Sequence, residues 1–314
     1  MTNCFAKLPT LPSNQGFLGL PESNEVKSHD NHVVIIPFGL ENSVTYGKGT
    51  ARAPKAIIKA SHEVELFDES LWYEPFKKFS TTTLKEFKIS DNTEEALQYL
   101  GKIVENVLKS RKFPMVFGGE HSITAGIIKP FAKTFPKLTI LHFDAHADLR
   151  DSYQGNKFSH ASALRRCLDY ENVNLVSIGV RNISAEEIIF LENNSHRIKI
   201  FWAKDKKQWS IDNILSYLQD SPIYLTVDVD VFDSSVMPAT GTPEPGGLFW
   251  EEIIDIISAV TQNTNIVGID LNELAPIKGF QSCDFLTAKL AYKILSLIFH
   301  NRLLNQNIKK KIKS

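Results

Sequence analysis

Asp144, His146 and Asp148 stand two residues apart just after the apolar run 138–143. In extended chain that spacing puts all three side chains on one face, with the small Ala145 and Ala147 on the other. Two carboxylates and an imidazole converging there repel one another unless a cation lies between them, so a metal site is the natural resolution. Asp228 and Asp230 close a second apolar stretch, Tyr224-Leu225-Thr226-Val227-Asp228-Val229-Asp230, with no basic residue beside them. Alone, such a pair reads as readily as a cap or turn, but burying it unpaired would be costly. A third segment, Gly118-Gly119-Glu120-His121-Ser122, sets His121 at a strand-to-helix junction behind two glycines that allow unusual backbone angles or close approach. Four carboxylates and two imidazoles suit a hard or borderline divalent ion such as Mn²⁺, and the absence of cysteine at these positions argues against structural zinc. This is too much acid for one ion. Carboxylates shared between two ions ~3.5–4 Å apart would use the whole set and hold a bridging water as hydroxide, ready to attack an electrophilic carbon. His142 shares the even spacing but reads as a hydrogen-bonded core histidine.

The elements that must position these groups are short, β-branched and almost uninterrupted apolar runs at 33–39, 115–117, 138–143, 175–179, 198–202, 223–229 and 266–271. Strands buried on both faces have this character. Between them, 93–108, 184–191 and 250–260 carry apolar residues at helical spacing, Pro54 sits at the start of another helix, and Thr93 reads as a helix cap. Alternating strand and helix implies an α/β fold with a parallel sheet. The chemical residues fall at the ends of three strands, as an open sheet arranges at its carboxyl edge. With no repeat or linker inside 33–300, a single domain is expected there, preceded by an extended arm over 1–32 and followed by a basic tail over 301–314.

Composition excludes several classes. The 314 residues include 35 Lys plus Arg against 36 Asp plus Glu, a formal charge of −1 that offers nucleic acid or an anionic membrane no long-range attraction. Cys4, Cys167 and Cys283 are odd in number and widely spaced, which suits a reducing compartment rather than a disulfide framework. No apolar run approaches the ~18 residues of a membrane span, and Lys7, Pro9, Pro12 and Gly16 break any signal-peptide core, so a cytoplasmic protein is expected.

The chain resembles the ureohydrolases, which comprise arginases, agmatinases and their relatives. The resemblance is carried, in the family's order, by Gly118-Gly119-Glu120-His121-Ser122, Phe143-Asp144-Ala145-His146-Ala147-Asp148, Ser159-His160-Ala161-Ser162, Ile178-Gly179-Val180-Arg181, Thr226-Val227-Asp228-Val229-Asp230, Ala239-Thr240-Gly241-Thr242-Pro243 and Gly268-Ile269-Asp270-Leu271-Asn272-Glu273. It spans roughly 33–300 and implies a three-layer α-β-α fold around a central, mostly parallel sheet. It also implies two Mn²⁺ per subunit, one held by His121, Asp144, Asp148 and Asp228, the other by Asp144, His146, Asp228 and Asp230. Nickel or cobalt would suit the same ligands. By the same resemblance His160 shuttles a proton to the leaving amine, Asp148 orients the attacking oxygen, and Glu273 grips the guanidinium. The reaction implied is hydrolysis of a guanidino compound to urea and an amine by a hydroxide held between the ions, in a homo-oligomer, trimer or hexamer.

Arginases follow the Ile-Gly-x-Arg segment with acids that read the substrate's α-amino group, whereas this chain has Arg181-Asn182-Ile183-Ser184. With the agmatinase-like stretches Asp148-Leu149-Arg150-Asp151 and Thr242-Pro243-Glu244-Pro245-Gly246-Gly247, this makes agmatine, cleaved to putrescine and urea in polyamine synthesis, the expected substrate. The segment 151–158 is less acidic than a cationic tail would favour, so guanidinobutyrate or another guanidine stays open. Different classes also remain: a single-metal deacetylase, and an inactive metal-binding homologue.

Overall fold

Eight strands form one sheet: β1 (His32–Phe38), β2 (Ser80–Thr83), β3 (Phe113–Gly118), β4 (Leu138–Phe143), β5 (Val173–Ile178), β6 (Ile198–Phe201), β7 (Ile223–Asp228) and β8 (Ile266–Asn272). Their order is β2-β1-β3-β8-β7-β4-β5-β6, and every pairing is parallel. The computed structural model describes residues 8–21 and 31–313, with side chains as far as residue 304. Seven strands coincide with the apolar runs. The eighth, β2, is the polar Ser80-Thr81-Thr82-Thr83, whose β-branched threonines suit a half-buried edge position that hydropathy does not reveal.

Helices cover both faces: α1 (Ala53–Ser61), α2 (Thr93–Lys109), α3 (Ile123–Thr134), α4 (Ala163–Cys167), α5 (Ala185–Asn193), α6 (Ile211–Ser216), α7 (Trp250–Asn263) and α8 (Ser282–Lys313). Strand alternation divides the core. Val33, Ile35, Met115 and Phe117 belong to one apolar cluster with Ile57 of α1, Ile257 of α7 and Leu290 of α8. Val34, Ile36, Phe38 and Val116 belong to another with Leu100 of α2 and Ile127 of α3. Each such buried side chain contributes about 1.5–3 kcal/mol, so the sheet is fixed from both sides. The result is the expected three-layer α-β-α unit. Helix α2 is capped one residue earlier than expected, by Asn92 rather than Thr93, because the Asn92 side chain accepts the Glu95 N–H at 3.1 Å.

Residues on both flanks of 33–300 also contact the body. Within the arm expected over 1–32, the described residues 8–21 lie against the body. Phe17 and Leu18 are buried; their N–H groups donate to Thr83 Oγ1 at 2.9 Å and Ser61 Oγ at 2.8 Å, and the Phe17 ring meets Phe117 edge-on at 5.3 Å. The rest of the arm, with Cys4, is outside the described residues. The tail expected from 301 continues α8, since neither glycine nor proline interrupts the sequence from Ser282 onward. Asn301 donates to Thr261 Oγ1 at 3.0 Å and Arg302 to the Ile266 carbonyl at 2.7 Å, which ties the helix to the sheet beyond residue 300. Among the described residues no helix is long and apolar enough to cross a membrane.

Candidate metal centre

Strands β3, β8, β7 and β4 are neighbours at the middle of the sheet, and because they are parallel their carboxyl ends share one edge. His121 follows β3, Glu273 follows β8, Asp228 ends β7 and Asp144 follows β4. Side chains that are distant in sequence therefore meet in space. Gly119 makes this possible after β3: a Cβ there would lie 2.0 Å from the Leu40 carbonyl oxygen, which instead accepts the Glu120 N–H at 2.8 Å. Asp148 and Glu273 have φ of 53° and 65°, a left-handed conformation unfavourable for both residue types and characteristic of functional sites.

The structure brings together all six expected ligands. His121 Nδ1 lies 3.0 Å from Asp144 Oδ2, 3.3 Å from Asp148 Oδ2 and 3.3 Å from Asp228 Oδ2. His146 Nδ1 lies 3.0 Å from Asp230 Oδ2 and 3.4 Å from Asp144 Oδ1. Asp144 thus offers one oxygen to each half of the cluster. His121 Nδ1 is completely buried and, despite its three acidic neighbours, has no hydrogen-bond partner. An imidazole nitrogen and three carboxylate oxygens converging without hydrogen bonds is the disposition of ligands around a cation, and this donor set fits a divalent metal. Asp230 Oδ1 accepts the Ala145 N–H at 2.9 Å and Asp228 Oδ1 accepts the Asp230 N–H at 2.8 Å, leaving the other oxygens to face the centre.

A layer of hydrogen bonds behind the cluster sets the imidazole orientation. His121 Nε2 pairs with Thr226 Oγ1 at 2.8 Å, and the Thr226 hydroxyl donates to Asp270 Oδ1 at 2.5 Å. Asp270 also accepts from Tyr224 at 2.7 Å, Thr124 at 3.0 Å and Asn272 at 2.6 Å. With its hydroxyl hydrogen committed to Asp270, Thr226 can only accept from His121, so Nε2 carries a proton and Nδ1 is the nitrogen left to bind an ion. His142 pairs with Asp144 Oδ2 at 2.8 Å and Ser177 Oγ at 3.0 Å, so both its nitrogens are engaged, as its core reading anticipates.

The buried charges of the cluster act strongly on one another. Burial, then the charges of Asp230 and Asp144, push the Asp228 carboxyl well above the usual range. Burial and Asp144 raise Asp230, while burial and the nearby Glu120 raise Glu273 well above its usual value. Burial alone would lower His121, yet its three carboxylates hold it well above the ordinary histidine value. Burial would raise Asp144, but the charge of His142 and the close approach of His121 and His146 keep it well below the carboxylate range. These shifts favour protons at positions from which a divalent ion would displace them.

Above the cluster lies a cavity of about 190 Å³ lined by His121, His146, Asp148, Asp228, Asp230, Glu273 and, toward solvent, Thr45, Tyr46, Arg150, Tyr153, His160, Asn182, Glu187 and Glu244. His160 is half-buried at its wall, with Nε2 2.8 Å from Thr45 Oγ1 and Nδ1 3.2 Å from Ser43 Oγ. Glu273 Oε1 accepts the His121 N–H at 2.7 Å. Sequence reasoning missed Thr226, Asp270 and Glu120. A charged residue inside the apolar run 266–271 was the available signal for Asp270. Glu120 accepts the Asn42 and Ser43 N–H groups, both at 2.6 Å, and thereby holds the loop whose Ser43 contacts His160.

The arginase family model matches residues 31–298 of the chain. An N(1)-aminopropylagmatine ureohydrolase from Synechocystis sp. is 34% identical over 285 residues, covering 87% of this chain and 92% of that protein. An agmatinase from Bacillus anthracis is 33% identical over 264 residues, covering 80% of this chain and 88% of that protein. Among solved structures, the agmatine ureohydrolase of Thermoplasma volcanium superposes with a TM-score of 0.76 at 28% identity, covering 88% of this chain and 93% of that one.

Proposed function

The chain belongs to the arginase family as an agmatinase-like hydrolase, and from that premise we propose that it cleaves agmatine, or agmatine extended by an aminopropyl group, to urea and the free amine with two Mn²⁺ ions. The observation that carries this reading is the partnerless, buried Nδ1 of His121 facing Asp144, Asp148 and Asp228. His121, Asp144, Asp148 and Asp228 would hold one ion, and Asp144, His146, Asp228 and Asp230 the other. When bound, the pair supplies a water-derived nucleophile at neutral pH.

The chain's own groups do the rest. Glu273 presents a carboxylate to the planar guanidinium, for which a bidentate acceptor is well shaped. With Oε1 already bonded to the His121 N–H, that carboxylate is held in one orientation. Asp148 accepts a hydrogen bond from the attacking oxygen and so directs it at the guanidinium carbon. A C–O bond forms, the C–N bond to the alkyl tail breaks, and the leaving nitrogen takes a proton from His160, which the Ser43 and Thr45 hydroxyls hold at the cavity wall. The proton left on the new oxygen passes through Asp148 to solvent, from which His160 is reprotonated.

The setting we infer is a homo-oligomer in the cytoplasm, acting in polyamine synthesis; the free, buried thiols of Cys167 and Cys283 suit a reducing compartment. The domain limits expected from sequence move outward in this reading, since 8–21 and the start of the former tail pack on the body. Urea release from agmatine, N(1)-aminopropylagmatine, arginine, 4-guanidinobutyrate, 3-guanidinopropionate and guanidine tests the proposal. One of the first two should be strongly preferred; preference for arginine or a guanidino acid would overturn the assignment.

A further inference from the structure

Recognition of a substrate beyond its guanidinium requires a group in the cavity that no strong hydrogen-bonded ion pair among the described residues already engages. The acids of the metal cluster and Glu273 have tasks already. Glu187 is buried, with Oε1 accepting the Leu149 N–H at 2.8 Å and Oε2 accepting the Ser184 N–H at 2.8 Å and hydroxyl at 2.7 Å. The cation at the rim, Arg150, is paired with Glu186 and lies over the Tyr153 ring, so it is poorly placed to attract a carboxylate tail.

Glu244 differs. Its side chain retains 30% exposure in the cavity, and its Oε1 accepts a neutral hydrogen bond from Asn182 Nδ2 at 2.6 Å. His146 Nε2 lies 3.9 Å away, within ion-pair distance but beyond hydrogen-bond reach, so a ligand cation can approach Glu244 more closely than His146 does. The backbone under Glu244 is built to hold it there. Arg181 donates to the Glu244 carbonyl at 2.8 Å and the Pro245 carbonyl at 3.0 Å, and also to the Asp230 carbonyl at 2.7 Å, which ties this loop to the metal cluster. Asp233 accepts the Gly246 and Gly247 N–H groups at 2.8 and 3.0 Å from the other side. Both ends of the loop are therefore fixed before substrate arrives, which lowers the entropic cost of binding.

We infer that Glu244, positioned by Asn182 and Arg181, binds a protonated nitrogen on the tail of the substrate and so selects guanidines that carry a second cation. This rests on the hydrolase reading above and names its substrate class: agmatine and N(1)-aminopropylagmatine both have such a nitrogen four carbons from the guanidinium. A charge-assisted hydrogen bond in a half-enclosed site discriminates strongly against a tail that lacks the charge.

The test compares wild type with Glu244→Gln on agmatine and on butylguanidine, the same chain ending in a methyl group, and measures binding of 1,4-diaminobutane by calorimetry. The variant should raise the KM for agmatine at least about tenfold with little change in kcat, leave butylguanidine kinetics and bound manganese unchanged, and weaken 1,4-diaminobutane to a similar degree. Equal losses on agmatine and butylguanidine, or lowered manganese content, would make Glu244 a structural support and overturn the inference. So would unchanged diamine binding. A protein that releases urea from no guanidine yet binds the diamine through Glu244 would refute the hydrolase reading while leaving the cation subsite standing.

Discussion

Asp270 is coupled to His121 through a single hydroxyl: Thr226 Oγ1 accepts from His121 Nε2 at 2.8 Å and donates to Asp270 Oδ1 at 2.5 Å. All three residues are buried. The relay fixes the imidazole tautomer from behind, where no substrate reaches.

Asp270→Asn keeps the size of the side chain but removes the charge that orients Thr226. Manganese affinity, measured by equilibrium dialysis, should fall about 10- to 100-fold, the usual cost of disturbing a group that orients a metal ligand. Unchanged affinity in a folded variant would confine Asp270 to a packing role.

His160 stands apart from the metal cluster, held by Ser43 and Thr45. His160→Ala should reduce urea turnover by about 10²–10⁴ while leaving bound metal as in wild type. Full activity in that variant would remove His160 from proton delivery.

Asp233 provides a pH test away from the cluster. Hydrogen bonds from the Ser235 hydroxyl and N–H, and from Gly246 and Gly247, push its carboxyl down to about 2. The unfolded value is about 3.9, so the depressed group contributes stability that is present above pH ~4 and lost as pH falls through 2. Because the carboxylate faces solvent and is screened, Asp233→Asn should lower Tm at pH 7 by only roughly 1–3 °C, with the gap to wild type closing in acid. A gap that stays constant from pH 7 to pH 2 would show that the titration of Asp233 does not stabilise this loop.

The candidate metal ligands were legible because Asp144, His146 and Asp148 recur at every second position just after an apolar run, although that segment lies beyond the end of β4 and Asp148 has a φ of 53° rather than an extended backbone. Thr226 and Asp270 were not, because they meet across the β7–β8 register, where they are Cα partners 44 residues apart in sequence. No local pattern encodes a register. The seating of Phe17 and Leu18 was hidden for a similar reason: it depends on side-chain acceptors at Thr83 and Ser61, supplied by other elements. The role inferred for Glu244 was obscured differently. Its motif was visible, but only the hydrogen-bond inventory of the cavity shows that Glu187 and Arg150 are engaged and Glu244 is available.

Each step of the proposed chemistry depends on the six converging side chains holding a pair of ions. Protein stripped with a chelator, reloaded with excess Mn²⁺ and desalted can be analysed for metal by mass spectrometry, with Asp228→Ala prepared alongside. About two manganese ions per wild-type chain are predicted, since Asp144 offers an oxygen to each half of the cluster and Asp228 is proposed as a ligand of both ions, and about one or fewer in the variant. A fully loaded wild-type chain that holds a single ion, or an Asp228→Ala chain that holds as many as wild type, would contradict it.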